Sequence, residues 1–196
     1  MIALTASTCM PVPELAAVIL AGGRGQRMGG ADKGLIDYRG RPLVRWVLDA
    51  LAPQADPILI SANRNLADYS RYGHRVVPDT LPDFPGPLAG VLAAMQTVDS
   101  AWLLVVPCDT PHLPPDLAAR LRDAAAQAHT ALAVAADATR THHSCFLARV
   151  DLAADLAAFL ARGERAVRHW QTGHDMVTVP FDAAGFANLN QPGDLD

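Results

Sequence analysis

Cysteines are few in this sequence, and their pattern excludes two kinds of site. The chain of 196 residues has three of them, Cys9, Cys108 and Cys145. An odd number with no Cys-x-x-Cys pair argues against a disulfide framework and against a zinc site. We therefore expect a cytoplasmic protein, because thiols stay reduced in that compartment.

Long apolar runs and an excess of charge are also missing. No apolar run approaches the roughly 20 residues that a membrane-spanning helix needs, and residues 1–13 lack the basic start and apolar core of a signal peptide. The net charge of −4 gives no general attraction to nucleic acid or to an anionic membrane. We therefore expect small-molecule partners, with neither nucleic acid nor a membrane among them.

The composition is sufficient for one core, since 51% of the residues are hydrophobic and 18% are charged. We expect residues 1–13 to be a flexible leader and residues 14–196 to form a single domain. Short apolar runs alternate with helical patterns, which predicts an α/β fold with a mostly parallel sheet. The expected strands are residues 15–20, 57–61, 75–77, 101–106, 130–135, 144–149 and 176–179. The expected helices are residues 42–51, 87–97, 115–128, 152–160 and 164–171.

A glycine-rich loop follows the first predicted strand, and its composition is typical of a polyphosphate site. Five glycines and three cations lie between Gly22 and Lys33. Glycines let several backbone N–H donors approach one anion, while Arg24, Arg27 and Lys33 add positive charge. The spacing fits neither a P-loop nor the G-x-G-x-x-G dinucleotide pattern. A glycine-rich surface turn with solvated arginines is the alternative.

Asp109 follows the predicted strand 101–106. In open α/β sheets, ligands bind outside the carboxyl ends of the strands. A carboxylate buried there needs a cation or hydrogen bonds to offset its desolvation. Mg²⁺ suits this position, because it takes one or two carboxylates and keeps its other positions for water and phosphate oxygens. The alternative is an N-cap of the helix expected at 115–128, but Asp109 lies too far upstream of that helix.

Together these motifs resemble a known family. Leu20-Ala-Gly-Gly, Arg27-Met-Gly-Gly and Asp32-Lys-Gly-Leu are similar to the signature of nucleotidyltransferases that activate sugars and cofactors. Within that superfamily the chain most resembles the molybdenum cofactor guanylyltransferases, and the similarity includes the runs Pro-Gly-Pro-Leu-Ala-Gly and Pro-Cys-Asp-Thr-Pro. The resemblance implies a Rossmann-like, three-layer αβα nucleotidyltransferase fold with a mostly parallel mixed sheet.

The activity that this resemblance implies is transfer of GMP from GTP to the phosphate of molybdopterin carrying molybdenum, with release of pyrophosphate. It implies Mg²⁺ as cofactor, and it extends the expected partners to a molybdenum-insertion protein and molybdoenzyme chaperones. Two alternatives stay open. One is a cytidylyltransferase that uses CTP with the same pterin, and the other is a GTP-binding adaptor that delivers the pterin to apoenzymes.

The resemblance also implies roles for individual residues. The catalytic residues would be Arg27, Lys33 and Asp109, and the metal ligands Asp109 and Asn190. The GTP-binding residues would be Leu20, Ala21, Gly22, Gly23, Lys33, Ser61, Asp79, Gly86, Gly90 and Asp109. The pterin-binding residues would be Arg165, Arg168, Asn188 and Asn190.

Some of these residues have a structural interpretation as well. Ser61 stands where the family often has Asn, so it offers a shorter, hydroxyl-based hydrogen bond. Gly86 with the following proline is also a common start of a helix. Arg165 and Arg168 are expected on one face of the helix 164–171, where a solvated face is the alternative.

Four other residues resemble ligands or nucleophiles but also have a structural interpretation. His142 and His143 are adjacent on a strand and so point to opposite faces, which argues against a shared metal. Asn63 follows the second predicted strand and matches a family asparagine, although Asn is also an ordinary turn residue. Cys108 is interpreted as a packing residue, because no cationic neighbour that would stabilise a thiolate is evident.

Overall fold

The computed structural model describes residues 14–23, 31–79 and 86–187, together with Leu189. The strands are β1 Leu15–Leu20, β2 Asp37–Tyr38, β3 Arg41–Pro42, β4 Ile58–Ser61, β5 Arg75–Val77, β6 Trp102–Pro107, β7 Leu132–Ala136, β8 Thr141–Arg149 and β9 Val177–Pro180. The α-helices are α1 Leu43–Leu51, α2 Leu66–Ser70, α3 Pro87–Met95, α4 Leu117–Ala128, α5 Ala153–Ala161 and α6 Val167–Thr172. Short 3-10 helices cover Lys33–Leu35, Val150–Leu152 and Ala183–Phe186.

One mixed sheet organises the described part of the chain. Its strand order is β5-β4-β1-β6-β8-β7-β9. Only β8 runs antiparallel to its neighbours, and the remaining strand pairs of the sheet are parallel. The reversal follows from a tight turn between β7 and β8, in which the Asp137 side chain accepts hydrogen bonds from the backbone N–H groups of Thr139 and Arg140. The expected mostly parallel mixed sheet is confirmed.

The sheet is buried on both faces, as parallel sheets are. Along β6, Leu104 and Val106 belong to one apolar cluster, while Leu103 and Val105 belong to the other. The first cluster includes side chains from α1 and α4, and the second includes side chains from α3 and α5. Helices therefore cover both faces, which gives the expected three-layer αβα arrangement.

The seven strands and five helices expected from the sequence are all present, with bounds that differ by a few residues. Besides the short 3-10 helices, two features were missed: the hairpin of the two-residue strands β2 and β3, and the five-residue helix α2. Both are too short to show a clear apolar period. None of the helices in the described ranges is long and apolar enough to cross a bilayer.

Replacing Leu104 by Ala is expected to lower the free energy of unfolding by about 2–5 kcal/mol, since it leaves a cavity in the central strand. Leu104 is fully buried, whereas Leu66, at the start of α2, is 41% exposed. Urea unfolding followed by circular dichroism measures the loss.

Leu66→Ala is the matched control, and we expect it to change the stability by no more than about 0.5 kcal/mol. Equal losses in the two variants would contradict the assignment of β6 to the centre of the core.

Candidate functional site

The carboxyl ends of three parallel strands meet at one edge of the sheet. Leu20 at the end of β1 lies in register with Ser61 of β4 on one side and with Pro107 of β6 on the other. A pocket of about 340 Å³ opens at this edge, which is large enough for a small ligand. Its lining residues are Leu20, Gly22, Gly23, Ser61, Asp79, Gly86, Pro87, Gly90, Pro107 and Ser144.

Most residues predicted to bind the nucleotide are therefore brought together by the fold. Ala21 does not line the pocket, but its backbone N–H donates to the carbonyl oxygen of Ser61 at 2.8 Å and so fixes the start of the glycine-rich loop. Lys33 and Asp109 do not line the pocket and form a separate ion pair. Arg27, Asn188 and Asn190 lie outside the described residues, so their predicted roles stay predictions.

Lys33 and Asp109 form an ion pair through Lys33 Nζ and Asp109 Oδ2. Lys33 comes from the 3-10 helix after the glycine-rich loop, and Asp109 lies two residues beyond the end of β6. Asp109 is only 8% exposed. Its other oxygen, Oδ1, is buried and has no hydrogen-bond partner among the residues that the structure describes.

This buried oxygen fits a hard divalent cation, which carboxylate oxygens bind readily. No cluster of three or more His, Cys, Asp or Glu side chains suitable for a metal occurs in the described residues. A divalent cation held by Asp109 would complete its shell with water and phosphate oxygens. The backbone N–H of Leu189 donates to the Asp109 carbonyl oxygen at 3.1 Å, which brings Leu189 next to Asp109.

Cys108 is not suited to a nucleophilic role. It is 5% exposed, and burial together with the neighbouring Asp109 carboxylate raises the pKa of its thiol. The thiol therefore stays protonated near neutral pH, in agreement with the interpretation of Cys108 as a packing residue.

Asp79 is held in the pocket wall by Asn63. Asn63 Nδ2 donates to Asp79 Oδ2 at 2.8 Å, and the Asp79 backbone N–H donates back to Asn63 Oδ1 at 2.8 Å. The Asn63 side chain thus joins the ends of β4 and β5 rather than closing a local turn. Burial raises the pKa of Asp79, and the hydrogen bond from Asn63 opposes that shift.

Gly90 allows α3 to approach the end of β4. A Cβ at this position would lie 2.2 Å from Ser61 Oγ and 3.4 Å from Asp79 Oδ1. Gly86, just before α3, has a φ of 94°, in the region that favours glycine. Gly86 and Pro87 do begin the helix, as the structural interpretation has it, and the same two residues also line the pocket.

Arg64 was not among the predicted site residues. Its Nη2 donates to the carbonyl oxygens of Gly23 and Ala31, at 3.1 and 3.5 Å. These two residues flank the part of the glycine-rich loop that lies outside the described residues. The sequence signal was the position of Arg64 directly after Asn63, beyond a strand end.

His142 and His143 lie on opposite faces of β8, as expected from adjacent strand residues. His142 Nε2 lies 2.8 Å from Asp137 Oδ2, and its ring stacks on Phe186. His143 Nδ1 lies 2.6 Å from Gln171 Oε1, while Gln171 Nε2 donates to the His143 carbonyl oxygen. Hydrogen bonds from Thr139 lower the pKa of Asp137, which therefore faces His142 as a carboxylate.

The expectation that Arg165 and Arg168 share one helix face is wrong. Helix α6 begins at Val167, because Gly163 takes a φ of 84° and Ala166 is extended. Arg165 therefore lies before the helix, and its Nη1 donates to the carbonyl oxygens of Leu160 and Glu164.

The turn that contains Arg165 still borders the pocket, since a Cβ on Gly86 would lie 3.9 Å from the Arg165 carbonyl oxygen. Arg168 is on α6 and exposed. Both arginines are exposed, and Arg165 in addition stabilises the end of α5 through its hydrogen bond to the Leu160 carbonyl oxygen.

Replacing Gly90 by Ala is expected to lower the free energy of unfolding by about 1–3 kcal/mol, because the added methyl overpacks the contact with Ser61. Ser61 is 2% exposed and has little room to move away. Urea unfolding measures the loss.

The control is the same substitution in a Ser61→Gly background, which removes both Ser61 atoms that the methyl would meet. There we expect no loss, since Ala is more favourable than Gly in a helix by about 1 kcal/mol. The same loss in both backgrounds would show that Ser61 does not restrict position 90.

Comparison with known proteins identifies the family. Residues 17–177 match the family model described as the MobA-like NTP transferase domain. A molybdenum cofactor guanylyltransferase from Burkholderia ambifaria (strain MC40-6) is 50% identical over 190 residues, which cover 92% of this chain and 93% of that protein.

Solved structures share the fold. The molybdopterin-guanine dinucleotide biosynthesis protein A from Archaeoglobus fulgidus matches with a TM-score of 0.76 and 23% identity, covering 92% of this chain and 94% of that one. A Mycobacterium tuberculosis protein solved in complex with manganese matches with a TM-score of 0.64 and 20% identity, covering 92% and 95%. The match to the family model and the 50% identity to a full-length relative show the family: this chain belongs to the MobA-like NTP transferases.

Proposed function

We propose that this chain is a nucleotidyltransferase that moves GMP from GTP to the phosphate of molybdopterin carrying molybdenum, and releases pyrophosphate. The relative from Burkholderia ambifaria is named a molybdenum cofactor guanylyltransferase and matches nearly the whole chain. The observation in the structure that supports this function best is the Lys33–Asp109 pair at the strand ends, with one buried carboxylate oxygen that has no partner in the described residues.

The reaction needs no general base in the protein. An anionic phosphate oxygen of the pterin attacks the α-phosphorus of GTP, a new P–O bond forms there, and the bond to the β-phosphate oxygen breaks. The main barriers are the approach of two anions and the charge that builds on the leaving pyrophosphate. Cationic and N–H groups are therefore what the chain must supply, and Cys108 takes no part.

Lys33 is the cation best placed for that task. Its ammonium is paired with Asp109, the proposed metal ligand, and so would lie beside the phosphate oxygens. Arg27, predicted from the sequence, would add a second positive charge, and the backbone from Leu20 to Gly23 would orient the triphosphate.

Asp109 would hold Mg²⁺ through the buried Oδ1, with Asn190 as the candidate second ligand. When bound, the metal supplies positive charge to the phosphate oxygens and so lowers the repulsion between the reacting anions. The related M. tuberculosis protein solved with manganese supports a divalent metal in this fold.

The hydrogen-bond acceptor in the pocket wall favours guanine over cytosine as the base. Asp79 Oδ2 is occupied by Asn63, while Oδ1 is the oxygen near Gly90. A carboxylate accepts hydrogen bonds and cannot donate them when ionised. Guanine offers two adjacent N–H donors to such an oxygen, whereas cytosine places an acceptor nitrogen beside its amino group. Ser61, Gly86 and Gly90 leave space for the planar base.

The phosphorylated pterin is proposed to dock beyond the Gly86 wall, near Arg165 and Arg168, and Asn188 and Asn190 are kept as pterin-binding residues on the sequence alone. Arg165 and Arg168 are both exposed cations. The proposal also keeps residues 14–196 as one domain, with a molybdenum-insertion protein and molybdoenzyme chaperones as further partners. It places the reaction in the cytoplasm, where the buried free thiols of Cys108 and Cys145 would stay reduced.

Purified protein with Mg²⁺ and molybdenum-loaded molybdopterin is expected to release pyrophosphate with GTP in clear preference to CTP, ATP and UTP. A coupled pyrophosphate assay measures the four rates under identical conditions. Preference for CTP would replace the proposal with the cytidylyltransferase alternative, and GTP binding without any release would favour the adaptor.

Asp109→Asn is expected to reduce turnover about 100-fold or more, because it removes the negative charge that would hold the metal and orient Lys33. Asp123→Asn on the exposed face of α4 is the matched control and should turn over normally. Circular dichroism checks that both variants fold. Near-normal turnover of folded Asp109→Asn would remove Asp109 from the mechanism.

A further inference from the structure

One aromatic residue contacts the chain on both sides of Lys33. Lys33 lies between Asp32 and Gly34, at the start of a 3-10 helix. Tyr69, from α2, is fully buried. Its hydroxyl donates to Asp32 Oδ1 at 2.5 Å, and a Cβ on Gly34 would lie only 2.5 Å from the same hydroxyl oxygen. Tyr69 therefore packs against Gly34 so closely that no larger residue fits there without movement.

Asn65 engages the second oxygen of Asp32. Its Nδ2 donates to Asp32 Oδ2 at 2.9 Å. The residue has a φ of 50°, a left-handed conformation that Asn adopts more readily than most residues. Both carboxylate oxygens of Asp32 thus accept hydrogen bonds from the α2 segment, which makes Asp32 an anchor for the loop rather than a further ligand at the phosphate site.

The hydroxyl of Tyr69 keeps its proton and can therefore donate a hydrogen bond to Asp32. Burial raises the pKa of this hydroxyl, and the hydrogen bond to Asp32 raises it further. The group therefore remains protonated near neutral pH. A buried hydrogen bond to a carboxylate is also stronger than one between neutral groups.

We infer that Tyr69 is a positioning residue for the phosphate site: acting through Asp32 and Gly34, it fixes the backbone around Lys33 and so holds the ammonium beside Asp109. A lysine side chain has four flexible carbons, and a fixed backbone limits the positions that its ammonium reaches. Such preorganisation means that less freedom is lost when the triphosphate binds.

Lys33 is the single lysine of the chain, which permits a direct test without any nucleotide. An amine-reactive acetylating ester labels Lys33 and the N-terminal amine, and mass spectrometry of the peptides gives the ratio of the two labelling rates. Tyr69→Phe keeps the ring against Gly34 and removes only the hydroxyl. We expect labelling of Lys33 relative to the N-terminus to rise about fivefold, because the loosened segment opens more often.

Tyr72→Phe is the matched control, since Tyr72 follows α2 and is not bonded to Asp32. Its labelling ratio should equal that of the natural sequence. Asn65→Gly is a second variant that keeps the left-handed backbone and removes the other donor to Asp32, and it should also raise the ratio. An unchanged ratio in folded Tyr69→Phe and Asn65→Gly would overturn the inference.

The effect of Tyr69→Phe on kcat is a second test, and it rests on the proposed function. Tyr69→Phe should lower kcat about tenfold, and in a Lys33→Ala background it should cause almost no further loss, because both changes act on one group. A full additional tenfold loss in that background would show that Tyr69 does not act through Lys33. If the natural sequence releases no pyrophosphate at all, the proposed function fails, while the labelling ratio still decides the role of Tyr69.

Discussion

The parallel pairing of β1 with both β4 and β6 is the constraint on which the rest of the structure depends. It sets Leu20 level with Ser61 and with Pro107, so the chain leaves all three strands at the same edge of the sheet. Because the strands are buried on both faces, they are mainly apolar, and their polar side chains collect near the ends. Loops that leave this edge carry the glycine-rich turn, Asn63 and Asp109, and the pocket forms between them.

Few groups stabilise the carboxylates at this edge of the sheet. Asp109 is nearly buried, yet only one of its oxygens meets Lys33, and the other has no hydrogen-bond partner in the described part of the chain. Burial of a half-satisfied carboxylate is costly, and binding of a metal ion with its phosphate ligands would remove that cost. Asp79 is held in a similar way. Asn63 donates a hydrogen bond to one carboxylate oxygen, and the other oxygen lies near Gly90.

The sequence predicts the long elements well because their apolar periods are strong. It also predicts which residues follow the strand ends, and seven of the ten residues expected to bind the nucleotide line the pocket. It does not predict α2, which has five residues, nor the contact between Tyr69 and Asp32 across 37 positions. The expected start of α6 was wrong because the conformation of Gly163 separates Arg165 from the helix.

The proposed reaction transfers the α-phosphate of GTP to the pterin product. Incubation of the protein with GTP labelled at the α-phosphorus, Mg²⁺ and molybdenum-loaded molybdopterin, followed by separation of the products, tests it directly. The proposed chemistry requires the label in a pterin–guanine dinucleotide, in equal amount to the pyrophosphate released. Label that remains in GTP, or appears as free GMP without a labelled pterin, would contradict guanylyl transfer.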